Sequence, residues 1–184
     1  MNYITVIEIL QKEGIECAAE LPLSSKSSFK IGGAADVAVF PKNISELEFI
    51  TKALDMPYIV VGNGSNILFE DEGYRGCVIF TEKMNSVKVE GNRLYAGAGM
   101  SFTALATMAK NASLTGLEFA YGIPGSVGGA VYMNAGAYGG EIKDVLYSVR
   151  SMNKEGGDIT ETPVKDIELS YRSTPFMKND RIIT

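Results

Sequence analysis

Histidine is absent from this chain of 184 residues, and tryptophan with it. Without histidine the commonest general base at neutral pH, the Ser-His-Asp and Cys-His arrangements and nearly all zinc sites are excluded. Cysteine occurs twice, at Cys17 and Cys77, too few for a disulfide framework or a thiolate metal site. Positive charge is also scarce: 17 basic residues stand against 22 acidic ones, the net charge is −5, and the lysines and arginines are scattered. A nucleic-acid partner, which calls for clustered basic residues, is therefore not expected. No apolar run approaches the roughly 20 residues that cross a bilayer. The N-terminus carries Glu8 and Glu13 and no basic head, so it does not read as a signal peptide, and a cytoplasmic location is expected. Any chemistry must come from arginine, lysine, serine, tyrosine, carboxylates, backbone amides or a cofactor.

What is present is an ordinary globular composition, 46% apolar and 21% charged, with enough length for one large or two small domains. Ile4, Ile7 and Leu10 share a face of a helix over residues 3–13 that Gly14 stops. Residues 37–40 form a strand closed by Pro41, and Ser45 with Glu48 makes a capping box for a helix through Leu47, Ile50 and Leu54. Tyr58–Val61 reads as a buried strand running straight into Gly62-Asn63-Gly64-Ser65-Asn66, and Cys77–Phe80 as another strand. Val87 and Val89 lead to a Gly91-Asn92 turn and return through Leu94. Ser101 caps a helix with Leu105, Met108 and Ala109 inward. Residues 145–152 and 158–170 are expected as strands around a turn at 154–157, and Arg181–Thr184 reads as the start of a strand, which points to a chain cut mid-element. The class is α+β, divided near residue 80 into 1–80 and 81–184.

Eight of the twenty glycines fall between positions 116 and 140. Glycine weakens helix and strand interiors by roughly 0.5–1 kcal/mol per site, so such a density marks close backbone approach or positive φ. Ser126, after Pro124-Gly125, starts a short helix with free amides, which suits an anion or a polar ring edge; equally, small residues let a helix lie tightly on a sheet. Gly62–Asn66 after a strand exposes successive amides, a nest for a pyrophosphate, although an ordinary turn reads the same way. It is neither a Rossmann fingerprint, since position 67 is Ile, nor a P-loop, since no Gly-Lys-Ser/Thr occurs.

Four stretches resemble the motifs of one family. Ser28-Phe29-Lys30-Ile31-Gly32-Gly33-Ala34-Ala35 resembles T-F-x-I-G-G-x-A with serine for threonine, and Gly62–Leu68 resembles the G-x-G-S-N pyrophosphate loop. Gly116–Gly139 is similar almost letter for letter to G-L-E-x-x-x-G-I-P-G-S-x-G-G-A-x-x-M-N-A-G-A-Y-G, and Tyr171-Arg172-Ser173 resembles Y-R-x-S. The family is UDP-N-acetylenolpyruvoylglucosamine reductase, whose flavin module has the vanillyl-alcohol-oxidase type of fold. The resemblance implies a two-subdomain FAD-binding module followed by a substrate domain. NADPH would be the reductant, and UDP-N-acetylglucosamine enolpyruvate the substrate, reduced to UDP-N-acetylmuramate for peptidoglycan. It implies cofactor contacts from Ile31, Gly32, Gly62, Asn63, Gly64, Ser65, Asn66, Tyr121, Gly122, Ile123, Pro124, Gly125, Ser126, Gly128, Gly129, Asn134 and Gly136, and no metal. Arg172 matches the arginine that stabilises the enolate; read without the resemblance, it is a surface partner of Glu168. The family's proton-donating serine and late glutamate match nothing in these 184 residues, so the chain by itself is expected to be inactive. Two other readings stay open: another flavin oxidase or dehydrogenase of this fold, and a non-catalytic nucleotide-binding module.

Overall fold

The structure is a computed structural model that describes residues 2–184. Helix α1 (Tyr3–Lys12) is capped by the Asn2 side chain, which accepts from the Ile4 amide at 3.2 Å. Its buried residues are Val6 and Leu10, with Tyr3 and Ile7 beside them, while the expected Ile4 faces outward. The i, i+3, i+4, i+7 stripe therefore begins at Tyr3, one residue earlier than the spacing of isoleucines suggests.

Strands β1 (Cys17–Pro22) and β2 (Ala34–Val39) pair antiparallel, and helix α2 (Ile44–Ala53) carries the chain across to β3 (Tyr58–Val61). The cap of α2 lies two residues before the expected Ser45. Asn43 accepts from the Glu46 amide at 2.9 Å, and Glu46 accepts in return from the Lys42 amide at 2.9 Å. Glu48, displaced from that role, pairs with Lys52 one turn on. Strand β4 (Tyr74–Phe80) inserts parallel between β2 and β3, giving the order β1-β2-β4-β3 with β3 at an edge. The period of two along β4 sends Cys77 and Ile79 to one core with Val6, Leu10, Leu47 and Ile50. Val78 and Phe80 go to the other face, with Leu23, Phe40, Val61 and Phe69. Phe40 and Phe80 stack there, ring centres 5.5 Å apart.

Beyond Phe80, β5 (Val87–Glu90) and β6 (Arg93–Ala96) form the expected hairpin. Ser101 caps α3 (Phe102–Asn111), accepting from the Ala104 amide. The short α4 (Val127–Tyr132) follows, then the two-residue strands β7 (Gly136–Ala137) and β8 (Gly140–Glu141). Strands β9 (Ser148–Asn153), β10 (Thr160–Pro163) and β11 (Arg181–Ile183) make an antiparallel sheet in the order β10-β9-β11. The long strand expected over 158–170 is only β10, because after Pro163 the chain enters a single tight helical turn at Val164–Asp166. A third core of Phe102, Phe119, Val131, Ile142, Val149 and Phe176 fills this half. Met152 of β9 and Ile182 of β11 reach back into the first core, so the two sheets share buried surface. Among the described residues no helix is long and apolar enough to cross a membrane.

Candidate functional site

Two segments some sixty residues apart in sequence meet at the end of β3. The strand stops at Val61 and the chain turns through Gly62–Asn66. Ser126, buried at the N-cap of α4, accepts from the Gly129 amide at 3.2 Å and rests its hydroxyl directly on Gly62. A Cβ at position 62 would overlap that oxygen, so glycine here makes room for a side chain of the protein itself. A side chain at position 125 would come into ordinary contact with Ser65. The 123–128 segment is pinned from behind: Phe102 donates to the Gly125 carbonyl at 3.0 Å, Val127 to Met100 at 2.8 Å and Gly128 to Ala98 at 2.8 Å.

Between the two segments opens a cleft of about 520 Å³, within the range of cofactor pockets. Gly62–Asn66, Ile123–Ser126, Gly128 and Gly129 line it, with apolar walls from Val60, Val61, Ala98 and Ala130. The opposite wall is Phe176, Met177, Ile182 and Ile183. Among the described residues the amides of Asn63, Gly64, Ser65 and Asn66 donate to no protein group. Four successive unpaired amides beside flat apolar walls suit a ligand that is anionic at one part and aromatic at another. A dinucleotide such as FAD has that character, and the residues present fit it.

The other expected residues lie off this cleft. Ile31 is half exposed, and Gly32 packs its α-carbon on Phe69. Tyr121 and Gly122 end a helical turn, Glu118–Gly122, immediately before the cleft residue Ile123, with the tyrosine 66% exposed and nothing near Gly122. Asn134 is buried with positive φ and works as a knot: its amide donates to Glu141 and to the Ser170 carbonyl, both at 2.9 Å, and its oxygen accepts from the Lys143 amide. All its polar atoms are thus committed to protein.

Gly136 and Arg172 belong to a second, smaller cleft with Glu141, Lys143 and Tyr171. Arg172 sits at the tip of a tight turn closed by mutual Ser170–Ser173 backbone bonds. It donates to the Gly136 carbonyl at 2.8 Å and, more weakly, to Asn134 at 3.5 Å, rather than pairing with Glu168 as a surface reading suggests. The Lys143 ammonium at 2.9 Å, together with the Asn134 amide, holds the Glu141 carboxyl below the usual carboxylate range. Two residues beyond Arg172, Thr174 donates at 2.6 Å to the carbonyl of Tyr132, which lines the larger cleft.

The far wall, with Lys154, Phe176, Met177, Asn179 and β11, is what motif reading missed. Arg181–Ile183 reads as a strand, but its neighbour β9 and the edge strand β3 opposite are chosen by folding alone. Arg181 locks that wall, binding Ser151, Asp158 and Thr160 between 2.6 and 3.0 Å.

Similarity to known proteins bears on what the cleft holds. The family of FAD binding domains matches residues 35–162, which take in both lining segments. The chain belongs to that family. FAD is the cofactor of this flavin domain, and its α+β fold is the vanillyl-alcohol-oxidase type expected from the motifs. UDP-N-acetylenolpyruvoylglucosamine reductases of Streptococcus pneumoniae strains 70585 and Hungary19A-6 are each 44% identical to it over 97% of its length. The flavin domain spans 59% of each, about three fifths of the relatives' length. The crystal structure of the corresponding reductase from Thermus caldophilus superposes with a TM-score of 0.77 at 32% identity, covering 92% of this chain and 59% of that one. Wild-type Physcomitrella patens BBE-like 1, 16% identical with a TM-score of 0.59 over 88% of this chain and 38% of that one, shares the fold.

Proposed function

We propose that this domain is the flavin-holding part of a UDP-N-acetylenolpyruvoylglucosamine reductase, which uses NADPH to reduce UDP-N-acetylglucosamine enolpyruvate to UDP-N-acetylmuramate for peptidoglycan in the cytoplasm. The observation that carries it is 44% identity along 97% of the chain to proteins of that name, an extent that includes Tyr171-Arg172-Ser173 as well as the FAD cleft. A bound flavin supplies hydride transfer; the protein contributes placement, charge and the exclusion of water. In this reading the unpaired amides of residues 63–66 take the pyrophosphate and the lining residues within 123–129 take the ring system. We divide the module near residue 80, where the four-stranded sheet ends.

Arg172 is the residue to which we assign charge stabilisation. Its guanidinium rests on two neutral carbonyls, so a substrate carboxylate or a developing enolate would exchange those for a charge-assisted pair. The neighbouring Glu141 is already held by Lys143 and Asn134, which leaves Arg172 without a carboxylate at hydrogen-bonding distance. The reading assigns the proton donor to none of these 184 residues, so the stretch alone binds flavin without turnover.

The purified protein should be yellow and release FAD, not FMN, on denaturation. Without oxygen, the whole reductase should oxidise NADPH beyond one equivalent of its flavin only when UDP-N-acetylglucosamine enolpyruvate is present as the hydride acceptor. Recovery of FMN, or NADPH oxidation indifferent to that substrate, would refute the reading.

A further inference from the structure

We infer that Ser28 is a positioning residue for the Gly62–Asn66 loop and Ser27 for Ile67 just beyond it, holding the Gly64 and Ile67 carbonyls so that the loop amides are left for the diphosphate of the dinucleotide. The inference rests on the reading that this loop takes the pyrophosphate.

The segment Leu23–Lys30 runs along the back of the loop, opposite the cleft. Ser28 contacts it twice: its amide donates to the Gly64 carbonyl at 3.0 Å and its hydroxyl to the same oxygen at 3.2 Å. Ser27 donates its hydroxyl to the Ile67 carbonyl at 3.1 Å and accepts from the Phe29 amide at 3.2 Å. Lys26 brings its own carbonyl so close to the α-carbon of Gly64 that no side chain fits between them. Lys26 is fixed in turn by Glu82 at 2.8 Å and by the face of the Phe40 ring, 4.8 Å from the ring centre.

A loop peptide can turn either its carbonyl or its amide towards a ligand, and a carbonyl aimed at a phosphate is repulsive. The Ser28 hydroxyl on the Gly64 carbonyl, with the Ser27 hydroxyl on Ile67 at the loop's end, biases the choice towards amides facing the cleft. None of the residues 24–30 lines that cleft, so the effect passes through the loop.

The test compares Ser28→Ala, Ser28→Thr, Ser28→Val and Ser27→Ala, measuring dissociation constants for FAD and for riboflavin, which has no phosphate. Melting of the flavin-free protein is followed alongside. Losing one hydrogen bond near the upper end of its usual worth corresponds to about a tenfold change. Ser28→Ala and Ser28→Val should weaken FAD by about that factor and riboflavin by less than about twofold, with Ser28→Thr restoring FAD affinity. Equal weakening of both flavins, or FAD affinity indifferent to Ser28→Ala, overturns the inference. Ser65→Asp separates this from the underlying reading. If a carboxylate there leaves FAD binding intact, the loop does not hold the pyrophosphate and both fall. If it abolishes FAD binding while the serine variants bind normally, only the positioning role falls.

Discussion

The loop after β3 and the segment from Gly116 to Gly140 are both glycine-rich, yet their glycines answer different demands. In the loop, Gly62 yields to the Ser126 hydroxyl and Gly64 to the Lys26 carbonyl: both are crowded by the protein. In the long segment, Gly128 and Gly140 are crowded by Ala98 and Phe119, whereas Gly122 and Gly139 meet nothing and Gly125 and Gly129 are barely touched. A glycine filled from behind is a packing requirement. One with open space before it, beside a cleft, is where a ligand can approach.

The largest effect that would sharpen this contrast concerns turnover. Arg172 touches the far end of the long segment and not the larger cleft, so Arg172→Ala in the whole reductase should leave flavin content unchanged. Turnover should fall by about 10²–10³, the usual cost of removing one preorganised donor to a developing charge. Loss of flavin along with activity would show that the two clefts work as one site.

Gly64→Ala comes next. It combines a backbone clash with a left-handed conformation (φ 64°), and should destabilise the flavin-free chain by about 3 kcal/mol. At this chain length that lowers the melting temperature by about 6–12 °C. A change below about 1 kcal/mol would mean that the Lys26 carbonyl gives way and that the loop is not crowded.

The sheet under the loop titrates. Burial pushes the Cys77 thiol up to about 12, and burial with the Asp180 charge does the same for the Tyr58 hydroxyl. The unfolded chain releases these protons first, so their stabilisation is fully present below about pH 9 and is lost as pH rises towards 12. Urea melts between pH 8 and 11 should show a decline of about 3 kcal/mol, and Cys77→Ala should flatten most of it. A slope unchanged by the substitution would assign the decline elsewhere.

Gly122→Ala should have the smallest effect on the fold. With nothing within contact, stability should stay within about 0.5 kcal/mol. FAD affinity should nevertheless drop if the flavin approaches this backbone, and an unaltered dissociation constant would move Gly122 out of the binding segment.

Local chemistry made much of this legible beforehand. The hairpin at Gly91-Asn92, the Ser101 cap, the Tyr58–Val61 strand and the Ser126 helix start depend on a few adjacent residues, and each stands where the spacing places it. Expectations failed where two local signals competed. Asn43 with Glu46 took the capping role that Ser45 and Glu48 could also fill, and Pro163 ended a strand that the apolar pattern would have continued.

From residue order alone follow the absence of histidine chemistry, the α+β class and the two glycine segments, because composition and turn propensity are properties of neighbours in the chain. Only the tertiary structure decided that Ser126 fills the space over Gly62, that Ser28 and Ser27 hold the carbonyls of Gly64 and Ile67, and that β11 forms the far wall of the cleft. Those contacts join residues from 36 to over 100 positions apart. The far wall exists because burying Met152 and Ile182 in the first core brings the second sheet against the first, a choice made by apolar surface and not by any motif.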